Sequence, residues 1–182
     1  FPLLDTDDNG NVTGTEIMAY LEQENVDYNG DGDINLRDVL DTDSPFSNGS
    51  DDDGNGYADD FFGWDPAGVS GGDDNDPYPN TSGDPSNWDH GTNVAGILGA
   101  ATDNGLGMAS ISYNSRVISV KCTRDNNSSG TINDGYSGIY YAARAGYYSD
   151  TFTIINNSWG GGGYSSYEQS QVNTAHNTYN AL

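Results

Sequence analysis

Basic side chains are scarce in this chain: five Lys and Arg stand against 28 Asp and Glu, for a formal charge of −23 over 182 residues. A surface of that sign repels a phosphate backbone, which excludes nucleic acid as a partner. One cysteine, Cys122, excludes an internal disulfide framework. It lies in the apolar stretch 117–122 and reads as a core thiol. No run approaches the roughly eighteen apolar residues of a membrane span, and no basic-then-apolar leader opens the sequence. A removed leader, or a cut from something longer, is the expectation that follows. Glutamate is also rare, 4 against 24 Asp. A salt-adapted acidic coat would use Glu freely and spread evenly. Here residues 1–90 hold 23 acids and one base, Arg37, for −22, and residues 91–182 come to −1. Asp is short and stiff and suits tight loops that aim oxygens inward, so the pattern points to hard-cation binding. The length suffices for a domain with a sizeable core.

What fills the acidic half is a repeated loop. Residues 5–16 fit a twelve-residue calcium loop: Asp5, Asp7 and Asn9 at positions 1, 3 and 5, Gly10 at the sharp sixth position, and the Asn11 carbonyl at 7. Val12 is the apolar eighth residue and Glu16 the bidentate twelfth. A short helix is expected to begin at Ile17. Residues 27–38 repeat the scheme with Asp27, Asn29, Asp31, Gly32, Asp33 at 7, Ile34 at 8 and Asp38 at 12. The second loop resembles those of dockerin modules and EF-hands. Only 22 residues separate the two starts, so a compact loop–helix–loop is expected. A metal-free polar turn would not require ligands, glycine and the apolar eighth residue to recur in register. A third candidate offers Asp51, Asp53, Asn55 and Asp59, with Phe62 where the twelfth ligand belongs. Asp73, Asp74 and Asp76 could hold a further ion in a long surface loop, 66–88. Two calcium sites are expected, and three or four are possible. Calcium would be structural, since acidic loops of this length repel themselves.

The rest alternates strand and helix. Residues 61–65 read as a short buried strand. From His90 a helix carries Val94, Ile97, Leu98 and Ala101 on one buried face. Residues 116–122 form a strand, and Asn133 or Asp134 caps a helix with Ile139, Tyr140, Ala142 and Ala143 inward, ended by Gly146. Residues 152–158 form the next strand. Ser165 and Glu168 make a capping box for a helix through Val172, Ala175 and Tyr179, with His176 as a surface residue. Strand–helix alternation with short connections implies parallel pairing and an α/β class.

These blocks carry a resemblance. Asp89-His90-Gly91-Thr92-Asn93-Val94-Ala95-Gly96 resembles the catalytic-histidine block, HGTHVAG, of the subtilisin-like serine proteases. Residues 51–65 (DDDGNGYADDFFGWD), Gly107-Met108-Ala109, Val120-Lys121 and residues 155–161 (INNSWGG) resemble further landmarks of that family in order. The resemblance covers about residues 48–182, leaving 1–47 as a calcium-loop segment. It implies a partial open parallel sheet flanked by helices and a secreted, extracellular protein. It also implies that His90 is the general base for a nucleophilic serine, and that Ser158, Trp159 and Gly160 line a cleft pairing with an extended peptide.

The departures are specific. Asn93 replaces the family's second, noncatalytic histidine. No D-T-G or D-S-G turn carries a catalytic aspartate; Gln23-Glu24-Asn25 occupies one alignable place. Asp5, in Leu4-Asp5-Thr6, is a catalytic candidate better used as a calcium ligand. The Gly-Thr-Ser nucleophile block and the oxyanion Gly-Asn block are absent, so this chain by itself should not form an acyl-enzyme. Two expectations remain open. One is a portion of a serine endopeptidase, acting on peptide or protein substrate with a complementary C-terminal segment. The other is an inactive, calcium-stabilised structural module that self-assembles into homo-oligomers or filaments through an uncovered sheet edge and exposed tyrosines.

Overall fold

The computed structural model describes residues 4–10, 12–69, 71–79, 86, 88–112, 115–126 and 130–182. The chain divides into two compact units: Phe1–Asp52 with Gly56–Phe61, and Asp53–Asn55 with Phe62–Leu182.

In the first unit, helix α1 spans Gly14–Glu24. It begins three residues ahead of the expected start because Thr13 supplies the cap: its side chain accepts the Glu16 amide while the Glu16 carboxylate takes the Thr13 amide. Asn25, in the left-handed conformation at φ 54°, ends it. A 3-10 turn, Leu36–Leu40, is capped in the same reciprocal way by Asn35 and Asp38. Leu21, Val39 and Phe46 are buried, and Tyr20 meets Phe46 edge-on at 5.7 Å. This is the compact loop–helix–loop that the loop spacing implies.

In the second unit, strands β1 (Gly63–Trp64) and β2 (Ser119–Val120) pair in parallel. A Cβ on Gly63, at φ 131°, would collide with the Ser119 carbonyl oxygen, so this approach requires glycine. Helix α2 (His90–Gly99), helix α3 (Gly135–Tyr148) and helix α4 (Ser166–Tyr179) complete the unit. Asp134 caps α3 through the Ser137 amide, and the helix runs two residues past Gly146. At that position a Cβ would meet the Thr153 side chain, so Gly146 serves packing rather than termination. Gly138 does likewise: a Cβ there would stand 2.8 Å from the Cys122 Sγ and 2.9 Å from Val120. Helix α3 thus lies directly on β2. Trp64 stacks on Tyr141 at 6.1 Å, and Ile139, Ala143, Ala175 and Ala181 form a core between α3 and α4, flanked by Ile155 and Trp159.

Regular strands are shorter than the sequence implies. Only Ser119–Val120 of the stretch 116–122 is strand, and Val117 and Ile118 are exposed. Residues 152–158 form no ladder among the described residues, and Phe152 and Ile154 are exposed. Yet the Leu182 amide bonds to the Thr153 carbonyl at 3.0 Å and the Ile155 amide to the Leu182 carbonyl at 2.6 Å. One residue bonding to both neighbours of its opposite number is the parallel pattern. Alternating strand and helix with parallel pairing is the expected α/β class. Residues 66–88 are not wholly surface loop: Pro66, Ala67 and Gly68 are buried, and Asp65 and Asp74 exchange backbone hydrogen bonds of 2.9 and 3.0 Å.

Candidate functional site

Three acidic loops adopt one turn. The first carboxylate of each accepts the amide of the glycine five residues on: Gly10 to Asp5 Oδ2 at 2.8 Å, Gly32 to Asp27 Oδ2 at 2.8 Å, and Gly56 to Asp51 Oδ2 at 2.7 Å. The third residue accepts the amide of the fifth: Asn9 to Asp7 at 3.3 Å, Asp31 to Asn29 at 2.9 Å, and Asn55 to Asp53 at 2.9 Å. Backbone φ is positive at the fourth residue (Asp8 55°, Gly30 69°, Gly54 77°) and at the sixth (Gly10 82°, Gly32 97°, Gly56 93°). A short carboxylate reaching back over five residues gathers acceptor oxygens on the inside of each turn.

The twelfth residues behave differently. Glu16 Oε1 accepts the Thr6 amide at 2.7 Å and Oε2 the Thr13 amide at 2.9 Å. The Thr13 amide and hydroxyl, then those of Thr6, hold the Glu16 carboxyl well below its ordinary 4.5, at about 2. Oxygens of Asp5, Asp7 and Glu16 lie within 4.8 Å of one another. In the second loop the buried Asp38 accepts the Tyr28, Asn29 and Asn35 amides at 2.8, 3.2 and 2.7 Å. That locks Asp38 to the backbone, and Asp27, Asp31 and Asp33 do not join it in a comparable group among the described residues. Asp59 turns its oxygens to the Asn48 and Gly49 amides at 3.0 and 2.8 Å. Asn55 is buried. Asn11 lies outside the described residues.

A second acidic group centres on Lys121. Its ammonium bonds to Asp65 Oδ2 and, at 2.9 Å, to Asp125 Oδ1. The side chains of Lys121 and Asp65 are 9% and 0% exposed. Burial pulls the Lys121 ammonium pKa down, but its bonds to Asp65 and Asp125 outweigh that and raise it. Asp74 joins Asp65 and Asp125 within 4.8 Å, and burial pushes its carboxyl up. Of the three loop acids 73, 74 and 76, only Asp74 enters this group; Asp76 accepts the Tyr78 amide at 3.0 Å. Sequence reading missed the Asp65–Lys121 pair. Its signal was an acid closing one buried strand and a lysine closing the strand that pairs with it. The neighbouring Cys122 thiol is pushed up to about 12, by burial first and then by Asp134 and Asp65. That keeps it a protonated thiol, half-buried rather than fully in the core.

His90 is the first residue of α2, preceded by Asp89, whose side chain makes no capping bond. The imidazole is exposed and has no hydrogen-bond partner among the described residues. The helix lies where the apolar spacing put it, but its face is not buried: no residue of α2 is, and Ile97 is 48% exposed. Its described neighbours explain this. Ile111 reaches the end of the helix through one amide, 3.0 Å from the Ile97 carbonyl, and Leu106, Met108 and Ile111 are themselves exposed. Asp5 belongs to the other unit, where its oxygens are occupied by the Asn9 and Gly10 amides. Ser158 accepts the Asn156 side-chain amide at 2.8 Å. Trp159 is seated on Gly135 and meets Tyr136 edge-on at 5.6 Å, while Gly160 is open to solvent. His176 bonds through Nδ1 to the Ala181 carbonyl at 3.1 Å, closing the end of α4.

Comparison with known proteins adds the family. A thermophilic serine proteinase of Bacillus sp. (strain AK1) is 46% identical over 57 residues, 31% of this chain and 14% of the relative. Subtilisin-like protease 1 of Plasmodium vivax is 32% identical over 117 residues, 64% of this chain and 16% of the relative. A cell wall-associated protease of Bacillus subtilis (strain 168) is 41% identical over 73 residues, 40% of this chain and 8% of the relative. The chain therefore spans less than a fifth of the length of these relatives. No solved structure gives a significant match. The model of the subtilase family, Peptidase_S8, matches residues 36–181. With that match over most of its length, the chain belongs to the subtilase family.

Proposed function

We propose that this chain carries the general-base histidine and one cleft wall of a secreted serine endopeptidase, and that calcium holds its acidic loops in shape. The observation that carries the reading is His90 at the head of α2, exposed and without a hydrogen-bond partner among the described residues, within the family's histidine block. In that role the imidazole takes the proton from a serine hydroxyl as it attacks a peptide carbonyl. Ser158, Trp159 and Gly160 would offer backbone to an extended peptide. Asp5 is not assigned a catalytic part, because its oxygens serve the first loop. Secretion is supported by relatives whose names describe a cell wall-associated protease and an extracellular basic protease.

For the metal, Asp5, Asp7 and Glu16 fit a hard divalent cation by donor type and proximity. The shared turn extends the reading to the first, third and fifth residues of the other two loops, Asp27, Asn29 and Asp31, and Asp51, Asp53 and Asn55; Asp33, Asp38 and Asp59 lie outside that turn. Calcium's part there is charge neutralisation and loop rigidity, outside the chemistry.

Two measurements test this reading. In the natural gene product, His90→Ala should lower peptide hydrolysis by about a million-fold while leaving the fold intact. Retained hydrolysis, or a wild-type product that cleaves no peptide, sinks the endopeptidase reading. Calorimetric titration of the chelator-treated chain with calcium should show binding that weakens in Glu16→Gln. No heat of binding removes the metal reading and leaves the enzymatic one to the first test.

A further inference from the structure

Five Asn–Gly steps occur in the chain: 9–10, 29–30, 48–49, 55–56 and 104–105. In such a step the glycine amide nitrogen can attack the asparagine side-chain carbonyl, because no Cβ obstructs the approach. The structure treats these five steps unequally. The Gly10 and Gly56 amides are donated to Asp5 and Asp51 at 2.8 and 2.7 Å. The Gly30 amide goes to Asp27 Oδ1 at 2.7 Å, and the Gly49 amide to Asp59 Oδ2 at 2.8 Å. Each potential nucleophile therefore has its N–H held by a carboxylate of another residue. The Gly105 amide has no acceptor among the described residues, and the turn around it is exposed.

The electrophile at that fifth step is also prepared. Asn104 Oδ1 accepts the Leu106 amide at 3.0 Å, which withdraws electrons from Cγ and steadies the negative oxygen formed on attack. Asn29 and Asn48 make the same side-chain turn, accepting the Asp31 and Ser50 amides at 2.9 and 2.7 Å. They differ from Asn104 in having the following amide tied down. Left-handed φ values of 58° at Asp103 and 70° at Gly105 keep the 103–105 turn tight.

We infer that Asn104 is a site of spontaneous covalent modification, cyclising with the Gly105 amide, while carboxylates hold the other four Asn–Gly steps inert. The Gly105 nitrogen gives its proton to solvent and bonds to Asn104 Cγ. The Cγ–Nδ2 bond breaks, and the nitrogen leaves as ammonia after taking a proton from water. One water then opens the succinimide to aspartate or isoaspartate. The net change is asparagine plus water to the acid plus ammonia, with no oxidant or metal. Breaking a charge-assisted hydrogen bond before attack slows the held steps about ten- to a hundredfold. Modification adds a negative charge, and in the isoaspartate form a backbone methylene, to the turn that follows α2.

The test is timed incubation of the intact chain near neutral pH, followed by peptide mapping by mass spectrometry. Asn104 should accumulate the amide-to-acid mass change at least about tenfold faster than the other four sites. In concentrated denaturant the five rates should converge. Asp59→Gly suits the left-handed backbone there, φ 52°, and frees the Gly49 amide, so Asn48 should rise toward the rate of Asn104. Equal rates in the native chain overturn the inference, as does a native ranking that survives denaturant. So does an Asn48 rate unchanged in Asp59→Gly while the other four sites keep their native rates.

Discussion

Replacing Lys121 by methionine would leave the fully buried Asp65 carboxylate with the Ala67 amide, 2.9 Å away, as its remaining donor among the described residues. An uncompensated buried charge costs about 3–5 kcal/mol. We expect Lys121→Met to lower the unfolding free energy obtained from urea titration by that amount, with a matching fall in the midpoint, and Lys121→Met with Asp65→Leu to recover much of it, because removing both charges removes the desolvation debt. A midpoint unmoved by the single change would mean that Asp65 is solvated. This constellation was poorly legible in the sequence. Asp65 and Lys121 are 56 positions apart, and only the parallel pairing of Gly63–Trp64 with Ser119–Val120 brings them together. The turn shared by the acidic loops was legible because its geometry is local: each of its defining hydrogen bonds spans two or five residues.

Helix α1 shows what a cap does to a titration. The Glu16 carboxylate is the far end of the Thr13 box and accepts the Thr6 amide as well. Its folded pKa is depressed from 4.5 to about 2. A depressed acid contributes stability that is complete above its unfolded pKa and is lost as pH falls through the folded one. Carbon-detected NMR of the Glu16 carboxyl should therefore titrate near 2, and α1 should lose helical signal between about pH 4.5 and 2. Glu16→Gln should flatten that dependence, and a midpoint at the ordinary value would refute the cap. Helix positions are legible in the sequence where a cap residue stands beside apolar spacing, as at Asp134 and Ser165. Strand lengths are not. Apolar runs such as 152–158 announce extended backbone, but a ladder needs a partner that sequence alone does not locate. Gly146 misled for the converse reason: a glycine against Thr153 is indistinguishable in sequence from a helix stop.

Across the whole chain the charge is unevenly held, −22 in residues 1–90 and −1 in residues 91–182. Self-repulsion on that scale opposes compaction and is screened by salt, with a Debye length of about 30 Å at 0.01 M and 3 Å at 1 M. Sodium chloride over that range should raise the melting temperature of the chelator-treated chain, at about 2–4 °C per kcal/mol relieved. A melting temperature that falls with salt would mean that attractive ion pairs dominate. The shared turn sharpens where this repulsion comes from. Its closure links a side-chain oxygen to an amide five residues on, a ring whose size suits aspartate and which glutamate's additional methylene would slacken. What closes the ring is an oxygen lone pair, and asparagine has one of equal reach, as Asn29 shows at the third position. The turn could thus have been built nearly neutral. Writing it with carboxylates adds negative charge that the hydrogen bonds do not need, so in each loop conformation and electrostatic load are separate properties. Asp→Asn exchanges at the ring-closing positions can vary the load while the conformation stays fixed.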